Sequence, residues 1–555
     1  MMKDLKGREY VFLIIITLFY AALAFWNLGS HHIPSTGWER EERDGEIFLD
    51  LGEDCQVAGI AWFLGNYENR EFELSWKAQE GNWIQAGKVA MENVYQWGQA
   101  QIRPSFTARY LRLSSLNQYV DLRELAVLDE QGGYLEVQNK EDYPELFDEW
   151  ELYEEKGNGH FQAAVFDESV FARTAWEYLN GIRSYEDTHP PLGKLLISLG
   201  IWIFGMNPFG WRAVPALTGA LMLPALYLTL RFLTGKAGIA AGGTLLLAFD
   251  FLHFTVTRLA AVDGMLVLAI LISHSMMYQY GRYVRQKAPW AKKGAALAVS
   301  GLFMGVGIGC KWSGCYSAAG LCILFFWMFG EGCIKGWISK KEGIRTILLC
   351  CAAFLLVPAA LYICSYIPYV SMDPDAGFLE GMITNQKNMY LYHATYNYDH
   401  HSASMWFQWP LTIKPVTVVY GSRDGMIEVM KAMGNPVVWW AGTAAVFWGM
   451  FQAVGKGDRK AAYLLISYGS QLLPWAFISR ASFLYHYFPA MIFSVLLIGY
   501  WASQRERKGI LILGAAAVLA AAFFYIYYPV IAGQPIFPEQ LEALDWLPSW
   551  DLTSP

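Results

Sequence analysis

The chain has 555 residues, of which 54% are hydrophobic and only 16% charged, against about 25% charged in a soluble globular protein. Its 42 Lys+Arg and 49 Asp+Glu leave a formal charge of −7, which excludes a generally basic nucleic-acid binder. The apolar content excludes disorder and collagen-like repeats, and with a mean hydropathy of +0.23 the class left is a polytopic α-helical membrane protein.

MMKDLKGREY runs straight into VFLIIITLFYAALAFWNL. No small-residue cleavage site follows, so this reads as an uncleaved first span with its basic flank in the cytoplasm. After a polar stretch to about residue 190, apolar runs alternate with short loops. A spanning helix needs about 20 apolar residues. The predicted spans are 10–28, 209–231, 237–257, 265–281, 294–310, 314–330, 346–368, 436–453, 461–477, 487–502 and 510–529. With these eleven spans, the basic loops around Arg231/Lys236, Arg282–Lys293, Lys335–Arg345, Lys456–Lys460 and Arg505–Lys508 all fall inside. That register requires the apolar stretch 192–206 not to cross but to lie re-entrant or at the interface. The external side then holds 29–208, the turns near 258–264 and 311–313, the loop 369–435, the turn 478–486 and the tail 531–555.

Of the eight cysteines, only Cys55 lies in the long polar region, so that region holds no internal disulfide. No paired CxxC or His pair has zinc spacing. Residues 36–137 alternate in the β manner: GEIFLDLG, VAGIAWFLG, FELSWKA, ARYLRLSS and LRELAVLD are broken by Gly, Asn and Asp turns. This stretch resembles a discoidin-like (galactose-binding-like) jelly-roll β-sandwich. Trp62, Trp76, Trp83 and Trp97 serve either as a sugar platform or, mostly, as core.

Polar groups at membrane depth are costly and are functional candidates. Asp167 and Glu168 open a helix-like stretch, VFDESVFARTAWEYL, where a carboxylate also suits the helix dipole. THPPLGK places His189 before an apolar run and Lys194 where it can snorkel to phosphates. Arg212, Arg258, Asp263 and Lys311 fall at predicted outer span ends. The loop 390–410, YLYHATYNYDHHSASMWFQWP, carries His393, His401, Trp406 and Trp409, and SRASFLYHYFP carries Arg480 and His486. The loop histidines match no common ligand set, so no metal site is expected and no cofactor is required.

Taken together, FDE at 166–168, HPPLGK at 189–194, the Arg-Leu…Asp pattern at 258–263, KW at 311–312, YH…HSASMWFQWP at 392–410 and SR…FxYHYxP at 479–489 resemble the protein O-mannosyltransferase family. The motifs stand in family order from about 160 to 500. The resemblance implies a GT-C fold over 160–530 and a polyprenyl-phosphate-mannose donor. It also implies a Ser/Thr hydroxyl acceptor on a protein, arriving for instance from the translocon, and inversion at the anomeric carbon. By family position Asp167 is the base, Glu168 orients the site, and Arg258, Lys311 and Arg480, with Arg212 behind them, stabilise the departing phosphate. His189, Lys194, Asp263, His393, His401, Trp406, Trp409 and His486 belong to the same substrate-binding set. The loop after the seventh span is too short for the β-trefoil of eukaryotic members, and the β-sandwich sits in the first external loop instead, as in a bacterial member with a different accessory module in the cell membrane. Two rival readings are a GT-C transferase moving another sugar to a wall polymer or lipid, and a non-enzymatic sugar-binding receptor. A transporter fits less well, because the charges gather at one face rather than at the midplane.

Overall fold

The computed structural model describes residues 5–40, 45–152, 159–372, 377–395, 399–423 and 425–554. Residues 1–4 of the predicted basic flank and 396–398 of the aromatic loop lie outside them. The chain forms two compact units: Gly29–Ser169 with Phe204–Gly210, and Met1–Leu28 with Val170–Ile203 and Trp211–Pro555.

The first unit is built on antiparallel strands β1 (Trp38–Arg40), β2 (Glu46–Leu64), β3 (Arg70–Lys77), β4 (Ile84–Met91), β5 (Trp97–Ser115), β6 (Val120–Leu128) and β7 (Tyr134–Leu135). They run in the order β1-β6-β2-β5-β3-β4, with β7 on β6. GEIFLDLG and VAGIAWFLG, expected as two strands, join in the single 19-residue β2, whose register with β5 shifts between Asp50 and Cys55 and again between Val57 and Gly59. The strands nevertheless belong to one hydrogen-bonded sheet, in which β2 and β5 pair on both sides of these two irregularities. Alternate residues Ile47, Leu49, Leu111, Leu113, Phe72 and Leu74 bury one face. Trp62 and Trp97 are buried, Trp76 stacks on Phe106 at 4.8 Å, and Trp83 is exposed. β4 was not expected from the sequence, because most of its side chains face solvent and it lacks the apolar alternation that marks a half-buried strand.

The second unit is helical. Each of the eleven predicted span segments lies in helix. By length and composition eight qualify as crossings: α1 (Gly7–Phe25), α4 (Pro208–Thr234), α8 (Trp290–Cys310), α9 (Gly314–Ile334), α10 (Lys340–Ser371), α12 (Pro436–Gly455), α14 (Leu484–Ser503) and α15 (Glu506–Ala532). A ninth is the bent pair α5 (Ala237–Ala248) and α6 (Phe251–Thr257), which meet at 59°. The Asp250 side chain caps α6 by accepting from the His253 N–H, and it also accepts from Trp439 Nε1 at 2.7 Å, so the break is held by hydrogen bonds. The other two segments form α7 (Asp263–Arg285) and α13 (Arg459–Leu472). α13 has 14 residues, short for a crossing by itself, and continues into a 3-10 turn at Leu473–Phe477, while α7 carries Ser273, His274, Ser275 and Gln279 along its length. The stretch 192–206 becomes α3 (Pro191–Phe204), 14 residues and so about 21 Å long, short of the roughly 30 Å hydrocarbon core.

The loop after α10, predicted to be external, is not featureless. It holds α11 (Phe378–Thr395) and a hairpin of β8 (Val416–Arg423) and β9 (Met426–Ala432), on which β10 (Pro535–Ile536) pairs. Lys431 Nζ, on β9, donates to the Asp551 and Ser554 carbonyls and ties the tail to this hairpin. The Asp-Gly pair at 424–425, between two β-rich runs, is a sequence signal that could have found this hairpin.

Close packing fixes the helices that frame the site. Residues 352–356 of α10 form a π-turn, as expected where Pro358 lacks an N–H and its ring displaces the carbonyl four residues earlier. Gly301 of α8 lies against this turn, and a Cβ there would stand 2.1 Å from the Ala353 carbonyl oxygen. Gly301→Ala is therefore expected to destabilise the protein by about 1–3 kcal/mol, read as a lowered unfolding midpoint of the detergent-solubilised chain.

Candidate active site

A cavity of about 570 Å³ opens where the residues after α8, the C-terminal half of α10, α11 and the segments 188–190 and 475–480 converge. Its polar lining includes Lys311, Arg480, His189, His393, Thr188, Gln386, Ser313, Tyr316 and Tyr362, and among the described residues no carboxylate lines it. Lys311 follows the last turn of α8, and its Nζ lies 2.9 and 3.2 Å from the carboxylate oxygens of Asp263, the first residue of α7. Arg480 makes no side-chain hydrogen bond or ion pair among the described residues. Trp312 Nε1 donates to the Tyr362 hydroxyl at 3.0 Å, and that hydroxyl donates to Gln386 Oε1 at 2.7 Å. This chain orders one wall of the cavity.

His189 is placed by a residue that the sequence reading missed. Buried Glu186 accepts from the Thr188 N–H at 2.8 Å and from His189 Nδ1 at 3.0 Å, and it pairs with Lys194 Nζ. Lys194 is fully buried and also donates to the His189 carbonyl at 2.9 Å. This corrects the expectation that Lys194 snorkels to phosphate: its three donors face the turn, and it serves to hold HPPLGK in shape. Burial opposes the charge on Glu186, but Lys194 and His189 beside it more than offset that and hold its carboxyl well below the usual range. Pro191 at the first position of α3 suits the helix start, where its N–H is not needed.

His393 of α11 donates from Nε2 to the Thr188 carbonyl at 3.0 Å, and its ring meets that of His189 edge-on at 5.7 Å. Burial, then Arg480, His189 and Lys311, push its pKa down to about 4. It is neutral at pH 7.

A second cavity of about 670 Å³ adjoins the first. The two share Trp475, Ile478 and Arg480. His400, His401, Ser404, Trp406, Gln408 and Trp409 line the second one, and Trp409 Nε1 donates to Ser404 Oγ at 3.1 Å. His486 lines neither. It is buried behind Trp475, ring centroids 4.2 Å apart, with Nδ1 accepting from the Phe483 N–H.

Two predicted phosphate-binding arginines stand elsewhere. Arg258 is buried and donates to the carbonyls of Ala24, Trp26 and Asn27 at 2.8–3.0 Å, stitching α6 to the end of α1. Arg212 is buried and donates to the Leu28 carbonyl at 2.9 Å. Neither lines the cavity. Asp167 and Glu168 belong to the β unit. Glu168 accepts from the Val165 N–H at 3.1 Å, closing a turn in which Phe166 takes φ +54°. A bulky residue in the left-handed region is costly and is characteristic of constrained functional turns. α2 (Glu168–Asn180) starts here.

Two family models account for most of this chain. The model for dolichyl-phosphate-mannose-protein mannosyltransferase matches residues 159–211 and 204–370. That for the C-terminal four TMM region of protein O-mannosyltransferase matches 378–550. The chain belongs to the protein O-mannosyltransferase family. The polyprenol-phosphate-mannose–protein mannosyltransferase of Mycobacterium tuberculosis is 25% identical over 466 residues, 70% of this chain and 86% of that one. The Corynebacterium glutamicum enzyme of the same name is 23% identical over 70% and 88%. Dolichyl-phosphate-mannose–protein mannosyltransferase 4 of Saccharomyces cerevisiae is 30% identical over 225 residues, 36% of this chain and 28% of that one. The solved S. cerevisiae Pmt1–Pmt2 complex bound to the sugar donor superposes with a TM-score of 0.63 at 15% identity, covering 70% of this chain and 89% of the matched one. The helical unit thus has the GT-C fold of the mannosyltransferase family. Both family matches begin after β7, so β1–β7 lie outside them.

Two outcomes follow. Glu186→Ala leaves Lys194 buried without its partner and should cost about 3–5 kcal/mol, visible as a lower thermal midpoint. Because the pKa of His393 is depressed from about 6.5 to about 4, its neutral form contributes stability that is complete above pH 6.5 and lost as pH falls toward 4. The midpoint of His393→Gln should fall less than that of the wild type over this window.

Proposed function

We propose that this protein transfers mannose from a polyprenyl-phosphate carrier to Ser or Thr hydroxyls of proteins on the outer face of the cell membrane, with inversion. The observation that carries this reading is the cavity beside the membrane helices that presents Lys311 and Arg480 and no carboxylate. It suits an anionic phosphate joined to a sugar. In this reading all eleven helical segments cross, the N-terminus is cytoplasmic, and both cavities face outward. An apolar hollow of about 310 Å³ among α7, α8, α9 and α10, lined by Met277, Met304, Leu321, Phe325 and Phe354, suits a prenyl chain.

The chemistry follows. The acceptor hydroxyl oxygen attacks the anomeric carbon while Asp167 takes its proton. The bond from that carbon to the phosphate oxygen breaks, and its electron pair leaves on polyprenyl phosphate. Lys311 and Arg480 stabilise the growing phosphate charge, so no acid is needed at the leaving group. Asp263 holds the Lys311 ammonium in place. Glu168 fixes the turn that carries Asp167, and His189 and His393 supply neutral or hydrogen-bonding edges to the sugar. Trp406, Trp409 and His401 line the acceptor's cavity, and His486 backs Trp475. Arg212 and Arg258 act from behind, by fixing the helix ends.

The test uses the purified protein in lipid, radiolabelled polyprenyl-phosphate mannose and a Ser/Thr-rich peptide. Wild type should transfer label, and Asp167→Asn should lose about 10²–10⁴-fold. Lys311→Ala should lose about 10²–10³-fold in kcat. Transfer of another polyprenyl-linked sugar but not mannose would establish the rival GT-C reading. Equal rates for wild type and Asp167→Asn would remove the base.

A further inference from the structure

The β unit carries three carboxylates that the proposed reaction does not use. Glu124 lies on β6 and is fully buried. Its Oε1 accepts from the Glu149 N–H at 2.6 Å, while its Oε2, also buried, has no hydrogen-bond partner. One carboxylate oxygen each from Glu124, Asp148 and Glu149 falls within 4.8 Å of the other two. Asp148 accepts from Thr36 Oγ1 at 2.8 Å, and Glu149 accepts from the Ser35 N–H at 2.6 Å. The unit's buried and half-buried ion pairs, Arg123–Asp121 and Arg109–Asp50, lie on other carboxylates. Among the described residues no cation pairs with these three.

Three carboxylates this close repel one another, and a buried oxygen without a partner is a further cost. A divalent cation answers both. The donors are all hard oxygens, with no sulfur or imidazole. That set suits Ca²⁺, which takes six to eight oxygens in flexible geometry, better than zinc, which favours nitrogen and sulfur, or Mg²⁺, which demands a strict octahedron. We infer that Glu124, Asp148 and Glu149 form a calcium site. Ser35 and Thr36 stand just before the first strand and Asp148 and Glu149 after the last, so the cation clasps the entering and leaving segments of the unit to β6. The role is to close the unit, not to take part in transfer.

The test is calcium titration by calorimetry on the full chain in detergent after chelator treatment, comparing wild type, Glu124→Gln and Asp148→Asn. The first variant keeps the side-chain shape, and the second lies on an exposed side chain, so one folded variant is secured. Wild type should bind one equivalent more than either, with a Kd of about 10⁻⁴–10⁻³ M, the range of extracellular modules. Saturating calcium should raise the thermal midpoint of wild type but not of Asp148→Asn. Equal stoichiometry in all three proteins, or no uptake by wild type at about ten times that Kd, overturns the site. A proton shared between Glu124 and Asp148 would then be what neutralises the cluster. Uptake of zinc or magnesium without calcium overturns the assignment of the ion.

Discussion

The contact between Lys311 and Asp263 is the one on which the site depends. A lysine ammonium just beyond the end of a membrane helix is costly to strip of water. Here the carboxylate that opens α7 stands 2.9 Å away. The pair ties the end of α8 to the start of α7, and it aims one cation at the cavity with part of its charge already answered. The pairing reduces the cost of burial without using all three ammonium donors, so an incoming anion can still be bound. The other cations divide by the same rule. Arg258 gives Nε and Nη2 to the three carbonyls at the end of α1, Lys194 spends its donors on Glu186 and the His189 carbonyl, and Arg480 makes no such contact among the described residues.

Much of this architecture could be read from the sequence because bilayer physics writes it in long runs. An apolar stretch of about 20 residues has few alternatives to helix, and every predicted segment is helical. What the sequence could not show was which charge pairs with which. Glu186 stands beside Asp187 with no pattern to mark it, yet it holds Lys194 eight residues on. Arg258 and Lys311 were indistinguishable as cations at span ends, and only the partners brought by distant segments separate a helix staple from a cavity residue. The residue classes were legible, and their assignment to roles depended on tertiary contacts. β4 and the π-turn of α10 escaped for local reasons: one strand is mostly exposed, and the other feature follows from a proline whose effect on register leaves no periodic trace.

The β unit obeys a different constraint. Its sheet has enough apolar alternation to bury Ile47, Leu49, Leu111 and Leu113, but its chain ends leave and return beside one another, and polar contacts fasten them there. Arg123 does part of this by bridging Asp121 and the Pro34 carbonyl. Gly65 leaves room for that pair, since a Cβ there would overlap the Asp121 carboxylate. An insert that must be closed at its base gains from charge pairing at the base, and the strands β1–β7 and the closing residues Ser35, Thr36, Asp148 and Glu149 all lie outside the family matches.

Arg480 links the two cavities. It lines the first beside Lys311 and the second beside the Trp406–Trp409 loop. In a displacement reaction, donor phosphate and acceptor oxygen stand on opposite sides of the anomeric carbon, so the site needs two compartments that meet at one point. A guanidinium at that boundary has donors enough to face both, and in the proposed reaction its fixed charge favours the state in which the phosphate takes up a further negative charge over the singly charged diester of the ground state. The wall that carries it, 475–480, is in turn backed by His486 against Trp475. The segment's rigidity therefore comes from the aromatic packing behind it, and in the proposed reaction that packing sets how accurately one cation serves both substrates.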